Sequence, residues 1–262
     1  MTPKLTVYRG FAVGNHYVWS PFVSKLEARL RFGGVPYSLA QGNPKSAPRG
    51  KIPYVDVVSD GGPSEQMGDT TLIIRSFIDN GVLTDLNAGL TPTLKAQDLA
   101  VRALLEDKVY FYQNRERWCD NYETMRNGAL GAIPYPIRLL VGLLAYRSMV
   151  TTLHGQGTGR YTNEEITSFK QEAWESINAL LAESRANAGR PTKPFWILGG
   201  PEPTEADSTV YGFVTSALAC KAAPETTKIV RSFPVIMEYA RRIHDQFFSE
   251  YELWEESDES EE

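Results

Sequence analysis

The chain has 262 residues, 42% hydrophobic and 23% charged, which is ample material for packed cores and suits two modest domains better than one. Its formal net charge of −5 comes from the C-terminus, where seven carboxylates lie between Glu252 and Glu262, so that the rest would be −5 + 7 = +2. With no basic stripe interleaved with aromatics, nucleic acid is not an expected partner.

Two isolated cysteines, Cys119 and Cys220, fit a reducing compartment rather than a disulfide framework. The opening "MTPKLTVYRGF" lacks the parts of a secretory signal. The most apolar run, "IRLLVGLLAY" (137–146), is about half the ~20 residues of a membrane span. A cytoplasmic protein without membrane association is therefore expected, with 137–146 as a buried or partner-facing helix.

In chain order, "KLTVY" predicts a strand, and Phe22, Val23, Leu26 and Leu30 recur at helical spacing until Gly33 and Gly34 stop the helix. "VPYSL" predicts a second strand. A loop rich in Pro and Gly, "QGNPKSAPRGK", leads to the strand "IPYVDVV", a turn at Gly61 and Gly62, a short edge segment and the helix "DTTLIIRSFIDN". This is a β-α-β-loop-β-β-α order. From Thr91 onward the helical period dominates. Val101, Leu104, Leu105, Val109 and Tyr112 line one face of a long helix, and Ile166, Phe169, Ala173, Ile177 and Leu180 line another. Thr162 with Glu165 forms a capping box, and Gly189 with Pro191 marks that helix's end. Thr204 with Asp207 repeats the start signal, and a last helix begins near Pro234 and buries Ile236, Tyr239 and Ile243. The predicted domains are 1–90 (α/β), 91–250 (all-α) and an acidic, disordered tail over 251–262.

Three element ends carry candidate chemistry. Ser20 and Pro21 start the first helix, where serine can accept from a free amide and proline loses nothing. Such a serine can simply cap, or it can hold a reactive atom at the helix's positive end. Pro53 opens a strand, a position that tolerates its missing donor and also suits a cis bond. Asp69 and Thr70 open another helix, as caps or as ligands for an ammonium and a carboxylate. On this topology a peptide-like ligand could be gripped between the three.

"SPFVSKLEARLRFGGVPYSL", "GKIPYVD", "GDTTLII", "GQGTGRYTNEEI" and "PVIMEYARRIHDQFF" resemble, in order and over nearly the whole chain, the glutathione transferase superfamily. More narrowly, they resemble its branch of failed-axon-connections and metaxin proteins. The resemblance implies a thioredoxin-like N-terminal domain followed by an all-helical C-terminal domain, with glutathione as co-substrate and a homodimer of the superfamily's kind. It assigns Ser20 as the catalytic hydroxyl for the glutathione sulfur, Ile52 and cis-Pro53 to the cysteinyl part, and Asp69 with Thr70 to the γ-glutamyl end. This pair departs from the commoner acidic-serine combination. His16, Tyr17 and Trp19, close before Ser20, are alternative sulfur contacts.

The implied acceptor site for a small hydrophobic electrophile takes in Arg9, Trp19, Tyr112, Arg115 and Trp118, while Tyr112 also fits a core position. The implied activity is a glutathione transfer serving metabolism or detoxification. A glutathione-assisted isomerase or lyase, and a non-catalytic metaxin-like adaptor, are the alternatives. His16, His154 and His244 share no metal-ligand spacing, so no metal is expected. "GQGTGR" lacks the strand context and the Lys-Ser/Thr of a phosphate loop.

Overall fold

A computed structural model of the chain describes residues 3–58, 63–188 and 194–254. Strand β1 (Lys4–Tyr8), helix α1 (Pro21–Phe32), strands β2 (Ser38–Ala40), β3 (Tyr54–Val58) and β4 (Ser64–Gly68), and helix α2 (Thr70–Asp79) follow the predicted order. The predicted turn at Gly61 and Gly62 lies outside the described residues. The sheet order is β2-β1-β3-β4, with β1 and β2 parallel and the other pairs antiparallel. β2 is shorter than its sequence suggests: Pro36 has no N–H for a ladder, and pairing starts at Ser38 opposite Thr6. Leu5, Val7 and Val55 from the sheet meet Leu26 and Leu30 of α1 and Ile73, Ile74 and Phe77 of α2 in one core.

The rest of the described chain is helical. Helix α3 (Pro92–Ala103) runs through a π-helical stretch (Leu104–Val109) into α4 (Tyr110–Arg115) and a second π stretch (Glu116–Asp120). Then come α5 (Tyr122–Ala129), α6 (Ile137–Gln156), α7 (Asn163–Asn187), α8 (Glu205–Ala219), α9 (Pro224–Arg231) and α10 (Pro234–Phe247). Both predicted capping boxes form, at Thr162 with Glu165 and at Thr204 with Asp207. The end signal at Gly189 and Pro191 lies outside the described residues. Val101, Leu105, Val109, Ile166, Ala173, Ile177, Ile236, Tyr239 and Ile243 are buried as their spacing requires.

The two halves meet along α1 and α8. A Cβ on Gly212 of α8 would stand 2.6 Å from the Pro21 carbonyl oxygen and 2.6 Å from the Lys25 nitrogen, so only glycine allows this backbone approach. α1 is enclosed on its polar side as well: Lys25, Glu27 and Arg29 are buried and answered by Glu106 (2.6 Å), Arg9 (2.9 Å) and Glu205 (2.7 Å). Charges removed from water need such partners.

One expectation is corrected and another is narrowed. Part of the predicted disordered tail is packed: Tyr251 and Trp254 are buried beside Tyr17, the Tyr251 hydroxyl donates to Glu27 Oε2 (2.9 Å), and the Glu252 amide donates to the Asn15 carbonyl (2.9 Å). Aromatic residues among the acids find an apolar seat; residues 255–262 lie outside the described chain. The apolar run 137–146, expected as a buried or partner-facing helix, is not buried apart from Gly142, which leaves the second reading. It is the first half of α6, and Ile137, Leu140, Leu143 and Leu144 are exposed.

Candidate functional site at the sheet edge

The register places three element ends at one edge of the sheet. Tyr54, the first residue of β3, pairs with Tyr8 at the end of β1 and with Gly68 at the end of β4. Pro53 and Asp69, one residue beyond those pairs, therefore share that edge, and α1 begins on the connection leaving β1 there. The Ile52–Pro53 bond is cis. Ile52 lies against Gly10, whose added Cβ would meet Ile52 Cγ1 at 2.9 Å, and the backbone of Ile52 has no hydrogen-bond partner among the described residues. An N–H and a C=O left unpaired beside a sheet are available to another chain.

Ser20 caps α1 weakly, accepting from the Val23 amide at 3.4 Å, and its own hydroxyl proton has no acceptor among the described residues. The hydroxyl and the first amides of a twelve-residue helix thus converge where negative charge is favoured. Asp69 is the one described non-glycine residue with positive φ, at 77°. Such strain persists where the surroundings impose it, often at ligand sites. Its Oδ1 accepts from the amides of Thr71 (3.0 Å) and Leu72 (3.1 Å), and the side chain stays exposed, leaving the second oxygen for a cation. Thr70 is buried beside it.

Tyr17 is no contact for a sulfur at this edge. It is buried, with its hydroxyl bonded to the Tyr211 hydroxyl (2.6 Å) and to His244 Nδ1 (2.7 Å), and burial raises its pKa far above the ordinary phenol value. Half-buried His16 has its pKa lowered by burial and by Arg9. Arg9 is corrected as an acceptor-site residue: it is fully buried, paired with Glu27, and donates to the carbonyls of Gly14 (2.8 Å) and His16 (2.5 Å). It staples the loop before Ser20 and offers no surface to a ligand.

Of the other predicted acceptor residues, the structure brings Trp19 and Trp118 into one cluster with Met125, Cys220, Ala222 and Ala223. The Trp19 ring lies on α5, where an added Cβ on Gly128 would overlap it. Tyr112 instead packs against Phe169 of α7 with ring centroids 5.8 Å apart, which is its core reading. Arg115 turns to Asp120 (3.1 Å) and Asn163 (2.9 Å) and borders a cavity of about 510 Å³ with Cys119, Tyr146 and His154.

Arg117 and Ser216 were not foreseen. The Trp19 carbonyl, one residue before Ser20, accepts from Ser216 Oγ (2.7 Å) and from Arg117 Nη1 (2.9 Å). Arg117 is 2% exposed, bonds otherwise to Gln113 and Ser216, and has no carboxylate partner among the described residues. An unneutralised guanidinium beneath the Trp19–Ser20 turn adds positive potential at the head of α1. No local signal marks it, because its partner is nearly a hundred residues away.

A four-stranded mixed sheet flanked by α1 and α2 and followed by a helical half is the glutathione transferase fold: a thioredoxin-like part and then a helical part. Residues 21–125 match the family model described as "Glutathione S-transferase N-terminal domain". Among solved structures the chain is similar to FzlA from C. crescentus (TM-score 0.58, 13% identity, covering 94% of this chain and 89% of that one). It is also similar to a glutathione transferase family member from Pseudomonas fluorescens pf-5 with two glutathione bound (0.53, 13%, 92% and 88%). A third is glutathione S-transferase III in its apo form (0.50, 15%, 95% and 98%). At these identities the likeness is one of fold, and it does not reach the narrower failed-axon-connections and metaxin branch.

Proposed function

We propose that the chain is a glutathione-dependent transferase whose sheet edge holds the tripeptide and whose Ser20 hydroxyl stabilises its thiolate. What supports this reading is the free Ser20 hydroxyl at the head of α1, the unpaired backbone of Ile52 and the strained Asp69, all belonging to element ends that the strand register and the β-α-β-β-α order direct to the same end of the sheet. Each offers what one part of glutathione needs. The Ile52 N–H and C=O suit the cysteinyl backbone, and the exposed oxygen of Asp69, with Thr70 behind it, suits the γ-glutamyl ammonium and carboxylate.

A thiol near its ordinary pKa of ~8.5 is mostly protonated at neutral pH, and the thiolate is the nucleophile. The helix amides, the Ser20 hydroxyl and the buried Arg117 charge all favour the anion, so the proton leaves to solvent and the sulfur forms a bond to an electrophilic carbon, whose leaving group departs with its electron pair or whose activated double bond opens and takes up a proton from solvent. Trp19, over α5, supplies an aromatic wall for a small hydrophobic acceptor. Arg9 and Tyr112 have no place in this site.

Isothermal titration of glutathione, with thiolate ionisation followed by ultraviolet absorbance, tests the reading. Ser20→Ala should raise the bound thiol's pKa and lower turnover by roughly 100-fold with little change in affinity, and Asp69→Ala should weaken binding. Absence of saturable binding to the wild-type protein overturns the proposal and reduces Ser20 to a helix cap.

A further inference from the structure

The hairpin of α5 and α6 has an outward surface that the fold does not use. α6 packs inward through Gly142 and Leu153, which are buried; an added Cβ on Gly142 would meet the Tyr122 hydroxyl and the Arg126 side chain at 2.8 Å. On the outer side Ile137, Leu140 and Leu144 follow one another at spacings of three and four, with exposures of 58, 67 and 61%. Leu143 and Tyr135, itself 71% exposed on the connection before α6, extend this face. It is one patch at one end of a helix, larger than scattered surface residues make.

The charge of this region is equally one-sided. The twenty residues of α6 carry two arginines, Arg138 and Arg147, and no aspartate or glutamate, in a chain whose net charge is −5. Arg147 continues the stripe of Ile137, Leu140 and Leu144 by another step of three, about 10 Å along the helix from Leu140. It is exposed. Apolar side chains on one face, a tyrosine at their margin and a cation in line with them suit a helix lying in a bilayer surface, its apolar groups in the acyl boundary and its cation at the phosphates.

We propose that this face, from Tyr135 to Arg147, docks the protein on an anionic phospholipid surface, lying in the interface without crossing it. No described helix is long and apolar enough to cross a membrane. Charge selects the lipid over a second copy of the chain, because α6 has no carboxylate to answer the Arg138 and Arg147 of another copy, whereas lipid phosphates neutralise them. The inference is independent of the glutathione reading.

Vesicle flotation of the full chain tests it, with phosphatidylcholine alone and with phosphatidylcholine plus phosphatidylserine. The wild-type protein should float with the phosphatidylserine vesicles only, and added salt should release it. Leu140→Glu with Leu144→Glu should cut recovery by roughly tenfold or more while the melting temperature stays at the wild-type value; Arg147→Glu, at an exposed position, should weaken recovery in the same direction. No recovery with phosphatidylserine vesicles overturns the proposal, as does recovery that neither variant reduces. A concentration-dependent dimer in sedimentation that the double variant abolishes, without vesicle binding, assigns the face to a second copy and overturns it too.

Discussion

Helices α1 and α6 invert the usual relation between apolar content and burial. α1, "PFVSKLEARLRF", carries four charges in twelve residues and buries nine of the twelve. α6 carries the chain's most apolar run and buries two residues of twenty. The difference is one of place: α1 lies between the sheet and α8, so that even Lys25, Glu27 and Arg29 are enclosed and each requires an opposite charge. α6 has the fold on one side only, and nothing in the described chain covers its other face. Apolar residues favour burial wherever a partner exists, and topology decides whether one does.

If α1 is held by buried ion pairs, Glu27→Ala should cost about 3–5 kcal/mol in chemical denaturation, because it leaves Arg9 charged and enclosed and frees the Tyr251 hydroxyl as well. A loss below ~1 kcal/mol would make Arg9 effectively solvated and the contrast with α6 superficial.

The seam's other member gives a pH test. Asp207 starts α8, and although it accepts from the Ile197 and Thr204 amides and the Thr204 and Tyr239 hydroxyls, burial pushes its pKa from 3.8 up to about 6. The folded protein then binds this proton more tightly than the unfolded chain does, so the contribution is full below 3.8 and falls as the pH rises through about 6. Asp207→Asn cannot titrate. Urea melts of both proteins should show the stability advantage of the wild type over this variant shrinking by ~2 kcal/mol between about pH 4 and pH 7.

Gly212→Ala should cost ~1–3 kcal/mol, since its methyl meets backbone of α1 rather than a side chain that can turn away. It should also raise the pKa of the bound glutathione thiol, because α1 carries Ser20 at its head; an unchanged thiol pKa would separate the seam from the site. At the other end of the scale, Leu140→Gln with Leu144→Gln should shift stability by less than ~0.5 kcal/mol despite removing two large apolar groups. A larger loss would mean that α6 is covered in solution.

The sheet edge was legible because each part has a local signature: a serine and proline at a helix start, a proline at a strand start, an acid before a helix. Local rules place such residues at element ends, and the β-α-β-β-α order carries those ends to one edge. The acceptor side was read poorly. Arg9 follows a strand and looks like an exposed terminal arginine, yet Glu27 and the carbonyls of Gly14 and His16 enclose it. Tyr112 fits the apolar stripe and belongs to it. Arg117 and Ser216, which hold the Trp19 carbonyl, have no local pattern at all.

By itself the sequence determined the strands and the helix starts, with the serine, proline and acid that stand at them, since these depend on propensity, capping and periodicity within a few positions. The tertiary structure alone decided which charges are enclosed, that Tyr251 and Trp254 leave the acidic tail for the core, and that the most apolar helix faces outward. Those outcomes depend on contacts between residues far apart in the chain, and in water the same side chain is stabilising or costly according to what stands opposite it.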